Sequence, residues 1–336
     1  MNRLCKIWLL RLIRCSKIIL SVSTVCVINA CTLDDYRDLC CAGNTSMRYT
    51  YLPYGHEQFT DYIYSLHHYL FDASGVYIRE LNPGENLQNQ PLLLNEGHYT
   101  MITIGNLSEK TKLQHMGNPN LEVFTLSSCQ QYPYSDSSGS GATYLDNGDE
   151  LYWGIKSFMV DLDGLATGIE RENEDYVAGM VTHMNNIHCH LRVKVEWSNI
   201  PPYTGDYEME LDGVPSGYSL HPNLATNADG FIVPQGIDYT SHKIRVPLKA
   251  RELNGEFITL RISDDHIPIL RILFNDRKVA PDIDLYKAFL IWGWHPSRIH
   301  VQKYAIRILI KSDGSADLFP SFDSSIDDWI DGGSFG

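Results

Sequence analysis

The eleven residues Ile187-His-Cys-His-Leu-Arg-Val-Lys-Val-Glu-Trp197 place an apolar side chain at every odd position and a polar one at every even position. Side chains alternate between two faces in extended backbone, so this stretch is a β-strand with one buried and one wet face. The alternation assigns His188 and His190 to the wet face. Shorter runs rich in Tyr, Ile, Val and Thr, bounded by turn residues, repeat the signature. In the first half they are Met47–Leu52, Tyr62–Phe71, Val76–Leu81, Gln90–Leu94, His98–Ile104, Glu150–Gly154 and Lys156–Leu162. In the second half they are Tyr207–Leu211, Phe231–Val233, Lys243–Leu248, Phe257–Ile262, Ile267–Phe274 and Val301–Lys311. Asp72-Ala-Ser-Gly75 reads as a hairpin turn, because Asp bonds the turn backbone and Gly tolerates positive φ. Asp284–Trp292 reads as a short helix. The fold class is therefore all-β, built as antiparallel sandwiches.

The amino terminus sets where such a fold works. Ile18 to Ile28 is an eleven-residue apolar run behind Arg3, Lys6, Arg11, Arg14 and Lys17, with no acid before Asp34. A membrane-crossing helix needs roughly 20 apolar residues, so this run reads as the core of an export signal. Ile28-Asn29-Ala30-Cys31 has the order of a bacterial lipobox. In that chemistry the Cys31 thiol receives a diacylglycerol and the chain is cut before it; ordinary secretion would cut after Ala30 without the lipid. More than one acyl chain is needed for stable anchoring, since each buried CH2 contributes about 0.8 kcal/mol. Thr32, rather than Asp, follows Cys31, so an inner-membrane retention signal is missing and the outer membrane is the expected destination. The division is then 1–30 lipoprotein signal peptide, 31–46 lipidated tether, 47–172 N-terminal β-sandwich and 173–336 C-terminal β-sandwich with a terminal strand. The acid- and glycine-bearing stretch 163–178 is the join.

Charge narrows the partners. Without residues 1–30 the chain keeps 22 Lys+Arg against 41 Asp+Glu, a net charge of −19 with His neutral. So acidic a surface repels nucleic acid, whose binding depends on neutralising phosphates. Cys40, Cys41, Cys129 and Cys189 remain beside Cys31, and four cysteines permit three pairings that the sequence leaves open. Chemistry is sparse. His183, His188 and His190 offer two same-face imidazoles on a strand, but spacing fixes no third ligand. Asp161-Leu-Asp163-Gly164 lacks the later positions of a calcium loop. There is no nucleophile elbow, phosphate loop or dinucleotide fingerprint. No catalytic residue, metal or cofactor is assigned, and the chain is not read as an enzyme.

Several segments in fixed order carry a resemblance. The lipobox and tether are followed by Leu70-Phe-Asp-Ala-Ser-Gly-Val-Tyr-Ile78, Leu94-Asn-Glu-Gly-His-Tyr-Thr100 with Gly105-Asn106, Asp149-Glu-Leu-Tyr-Trp-Gly154, the alternating strand, and Ile326-Asp-Asp-Trp329. Together they resemble the FimB-type fimbrial anchor lipoproteins of Bacteroidia. The resemblance implies two tandem transthyretin-like sandwiches, a lipid anchor in the outer membrane at the cell surface, and a role at the base of type V fimbriae. It also implies fimbrillin-type subunits as partners, engaged by β-strand exchange.

An extended segment that completes a partner's sheet gains main-chain hydrogen bonds while alternate side chains fill pockets. The candidate donor is the tail beyond Pro320, with Phe322, Ile326, Trp329 and Ile330 as anchors; folding back as a terminal strand of its own domain is the other reading. An alternative function is a surface glycan-binding lipoprotein that stacks sugars on Trp153, Trp292 and Trp294.

Overall fold

The computed structural model describes residues 46–114, 121, 124–133, 143–161, 166–168, 180–220, 235–263, 266 and 268–321. The signal peptide, Cys31, Cys40 and Cys41, the strand expected at 231–233, and Phe322, Ile326, Trp329 and Ile330 lie outside the described residues.

In chain order the first half forms β1 (Ser46–Thr50), α1 (Phe59–Tyr62), β2 (Leu66–Asp72), β3 (Tyr77–Leu81), β4 (Asn89–Pro91), β5 (Gly97–Gly105), β6 (Thr111–Gln114), β7 (Thr125–Ser128), β8 (Tyr152–Val160) and β9 (Ala166–Gly168). The second half forms β10 (Met180–His183), β11 (Asn185–Asn186), β12 (His188–Trp197), β13 (Asp206–Ser219), β14 (Gln235–Pro247), β15 (Glu252–Leu260) and β16 (Ile269–Phe274). It ends with β17 (Arg277–Lys278), β18 (Ile283–Asp284), α2 (Leu285–Trp292), β19 (Gln302–Ile310) and β20 (Ala316–Pro320). The strand expected from Tyr62 starts only at Leu66, because Phe59–Tyr62 closes a helical turn first. The two strands expected at 150–154 and 156–162 are one, β8, paired with β5 without interruption from Tyr152 to Val160.

Four sheets result. Sheet A has the order β10-β1-β4, and sheet B the order β11-β8-β5-β2-β3 with β9 beside β8. Sheet C runs β15-β12-β19-β20, and sheet D runs β17-β16-β13-β7-β6 with β14 beside β13 and β18 beside β16. Most pairs are antiparallel; β1 with β10 and β12 with β19 are parallel. Sheets A and B enclose a core that includes Met47, Tyr49, Tyr51, Leu70, Met101 and Phe158. Sheets C and D enclose a larger one with Leu191, Val193, Met209, Leu211, Phe257, Ile272 and Ile306, capped by Phe289 of α2. The all-β, tandem-sandwich expectation holds.

Sheet B is buried on its second face too. Tyr69, Phe71, Ile102, Ile104 and Trp153 project from it onto Phe124, Leu126, Tyr218, Leu220 and Leu260. Strand pairing ties the same junction. β7, from the first half, adds to β13, while β10 and β11, from the second half, add to β1 and β8. A bulge lets β13 serve both neighbours: the register shifts between Asp212 and Val214, where Gly213 takes a φ of 83° that a side chain would strain. Before the bulge β13 pairs β16; after it, β13 pairs β7.

Candidate assembly surface

The sandwich of sheets C and D is closed on one side and open on the other. On the closed side a tight turn through Ala250, at φ 58°, joins β14 to β15 and so links the two sheets. On the open side β20 ends sheet C, and no strand among the described residues pairs with its outer edge. Such an edge presents unpaired backbone donors and acceptors, which are a template for another strand.

Side chains along β20 follow its pleat. Ala316 and Leu318 pack on the core. Asp317 and Phe319 face away, Asp317 with its carboxylate 2.8 Å from Lys311 Nζ and Phe319 beneath the Arg307 guanidinium at 4.8 Å. Across from β20 stands α2. The Asp284 carboxylate caps its start by accepting from Lys287 N–H at 3.0 Å, and Gly293 ends it in the left-handed region at φ 71°. Leu285, Ala288 and Phe289 are buried on one face, which leaves Leu290 and Ile291 facing solvent, Ile291 at 81% exposure. Between helix and strand lies a groove of about 330 Å³ lined by Ile283, Ile291, Trp292, Ala316 and Leu318, with Asp282, Asp284 and Lys287 at its polar margin.

The other expected sites resolve individually. Trp153 is 0% exposed inside the junction core and presents no stacking platform, because the strand face it occupies is covered by the second half. Trp292 and Trp294 are half-buried, 5.0 Å apart edge to face, and both pack on Phe289. Cys129 and Cys189 carry free thiols; the Cys189 thiol is buried in the core and pushed up to about 12 by desolvation. Asp161 lies at the end of β8, while Asp163 and Gly164 are outside the described residues.

The histidines divide. His183 Nδ1 bonds Thr50 Oγ1 at 2.7 Å, away from the other two. His188, expected on a wet face, is 1% exposed: Leu151 and Tyr152 of the first half cover this end of β12, and the Tyr152 ring meets the imidazole at 5.3 Å. His190, also expected on the wet face, is only partly exposed, its side chain at 16%, with Glu150 and Glu256 beside it. Glu150 was legible only as one acid among many, since sequence spacing cannot bring residue 150 to residue 190.

The junction also holds clamps that no sequence pattern marks. The buried Arg261 guanidinium donates to the carbonyls of Asn186 at 3.0 Å, His300 at 2.8 Å and Ile299. The Gln302 amide pairs both backbone groups of Ile262 at 2.8 Å, as a neighbouring strand would. Asn147 does the same for β15, accepting from Ile258 N–H and donating to Glu256 C=O at 2.9 Å each.

A sequence model of the fimbrillin-A associated anchor proteins Mfa1 and Mfa2 matches residues 38–330. Among solved structures the chain is similar to the fimbrial anchor protein Mfa2 of Porphyromonas gingivalis, with a TM-score of 0.50 and 14% identity over 79% of this chain and 90% of that one. It is similar also to a protein of Bacteroides ovatus described as a candidate adhesin, with a TM-score of 0.54 and 11% identity over 82% and 92%. A third, described as a candidate polysaccharide-binding protein of Bacteroides thetaiotaomicron, gives a TM-score of 0.55 and 12% identity over 83% and 98%. At such low identity these structural likenesses establish the shared fold alone. No curated protein matches in sequence. With the family match spanning nearly all of the described structure, the chain belongs to the fimbrillin-associated anchor protein family and has a fimbria-associated role.

Proposed function

We propose that the protein is an outer-membrane lipoprotein, held through Cys31, that anchors or assembles surface fimbriae by β-strand addition with fimbrillin subunits. The observation that carries this reading is the open side of the second sandwich: a β20 edge with no partner strand among the described residues, facing α2 across an apolar groove. A guest strand lying there gains backbone hydrogen bonds from β20 and places alternate side chains against Trp292 and Ile291. The tail supports the reading from sequence: in an uninterrupted strand past Pro320, Phe322, Ile326 and Ile330 share the even parity of Ala316 and Leu318 and fall on the core-facing side, while Trp329 falls on the other. The division at 172/173 is part of the proposal, with residues 47–172 as the body nearer the lipid and 173–336 as the body that meets the fibre.

Pull-down from detergent-solubilised outer membranes tests it, with the full-length tagged protein beside a version truncated after Pro320. Capture of a fimbrillin-type subunit by the first and its loss from the second is the expected result. Equal capture by both moves strand exchange off the tail, and polysaccharide binding without subunit capture replaces the anchor reading with the glycan one. Membrane release of a Cys31→Ser variant checks the lipid.

A further inference from the structure

Glu150, just before β8, and His188 and His190, on β12, approach each other from opposite sides of the junction. One carboxylate oxygen and one ring nitrogen from each histidine all lie within 4.8 Å of one another. The closest pair, His190 Nε2 and Glu150 Oε1, is 3.1 Å apart. Two ligand atoms each about 2.1 Å from a tetrahedral ion stand about 3.4 Å apart, so this pair need open only slightly, while the widest pair must close by about 1.4 Å.

The outer contacts orient both imidazoles the same way. His188 Nδ1 donates to the Leu151 carbonyl at 2.9 Å, and His190 Nδ1 lies 3.4 Å from Glu256 Oε1. Ligating histidines are held in this manner, by a carbonyl or carboxylate at the nitrogen that does not meet the metal. In both residues Nε2 is then the ligating atom. Asn186 Nδ2 sits 3.1 Å from both His188 ring nitrogens, and its own Oδ1 is buried without a hydrogen bond. That side chain is a poorly satisfied occupant that an ion can displace. The site has an approach from solvent, since Glu150 and Glu256 are each 42% exposed. The neighbouring cations are Arg192, paired to Glu256 at 3.1 Å, and Lys303, over the Tyr62 ring at 5.0 Å.

We propose that Glu150, His188 and His190 form a binding site for a borderline transition-metal ion of the zinc class, with Glu256 as the positioning group behind His190. Two imidazoles and one carboxylate are a donor set for zinc, and water completes the coordination. Because Glu150 enters sheet B and the histidines belong to sheet C, the ion ties the first half of the chain to the second. The alternative is an ion-pair cluster without metal, in which His190 bridges the two carboxylates.

Calorimetric titration of the full chain with zinc chloride, and visible spectra with cobalt(II), separate the two. The expected result is one ion per chain with a tetrahedral cobalt spectrum, a higher unfolding temperature with zinc, and loss of both in His190→Ala and in Glu150→Gln. Both residues lie at the solvent margin, so circular dichroism confirms that the variants fold. Glu256→Gln is expected to weaken binding about tenfold. Absence of stoichiometric binding, or binding undiminished in both ligand variants, overturns the proposal and leaves the ion-pair cluster.

Discussion

At the scale of single residues the second half is fastened to the first by polar groups that have no freedom to be otherwise. Arg261 has no carboxylate among the hydrogen-bond partners of its guanidinium; backbone carbonyls from Asn186 and from the loop before β19 take its protons. Each buried carbonyl left without a donor costs about 1–3 kcal/mol. Arg261→Ala is expected to lower stability by about 3 kcal/mol or more, read as a lower urea midpoint with an unchanged m-value. Buried histidines set a pH limit, His68 and His242 among them. His68, beside the Tyr49 and Thr103 hydroxyls, and His242, donating to the Asp146 carbonyl, are both pushed down to about 4 by burial. The unfolded chain takes up their protons near pH 6.5 and the folded one only near pH 4, so stability falls as pH drops through that window. The loss is on the order of 3 kcal/mol for each when complete. Urea midpoints between pH 7 and pH 4.5 measure it, and His68→Gln is expected to flatten the slope. The sequence showed the His67-His68 pair but not which side chain faces inward. It gave no sign of Arg261, whose partners are backbone atoms remote in the chain.

At the scale of elements, what the sequence reveals depends on how a strand is covered. β12 alternates cleanly because one of its faces meets the core along its whole length, and α2 is readable from Asp284 and Gly293, its cap residues. β6, β7, β10 and β11 were not foreseen. They run two to four residues each, too short for a period to register, and their places are set by β13, β1 and β8 rather than by their own composition. His188 fails the wet-face rule for a related reason: a neighbouring body, not its own sheet, buries it. The pairing of β10 has a test in Gly154 on β8. A Cβ there meets Thr182 Cγ2 at 2.7 Å and Met184 Sδ at 2.9 Å, so sheets A and B approach across a glycine. Gly154→Val is expected to force them apart and cost about 1–3 kcal/mol by overpacking, seen as a lower melting temperature and faster amide exchange in β1 and β10. Unchanged exchange in β1 would sever that link.

At the scale of the molecule, the junction core makes the two halves one folding unit. Domain interfaces that are small and polar allow independent motion and unfolding, whereas this one buries Trp153, Phe71 and Phe124 together and is crossed by strands in both directions. Thermal unfolding of the full chain is expected as one transition with matching calorimetric and van't Hoff enthalpies. Trp153→Ala, costing about 3–5 kcal/mol, is expected to lower that transition or split it in two. Rigidity suits a fimbria-associated protein, and under the proposed function the open side between β20 and α2 is where a partner strand adds. Site-specific photo-crosslinking tests that directly, with a benzophenone amino acid at Ile291 in the groove and, as control, at the comparably exposed Tyr64 of the first half. A crosslink to a fimbrillin-type subunit is expected from Ile291 and none from Tyr64 in fimbriated outer membranes. A subunit captured from Tyr64 and never from Ile291 would contradict it.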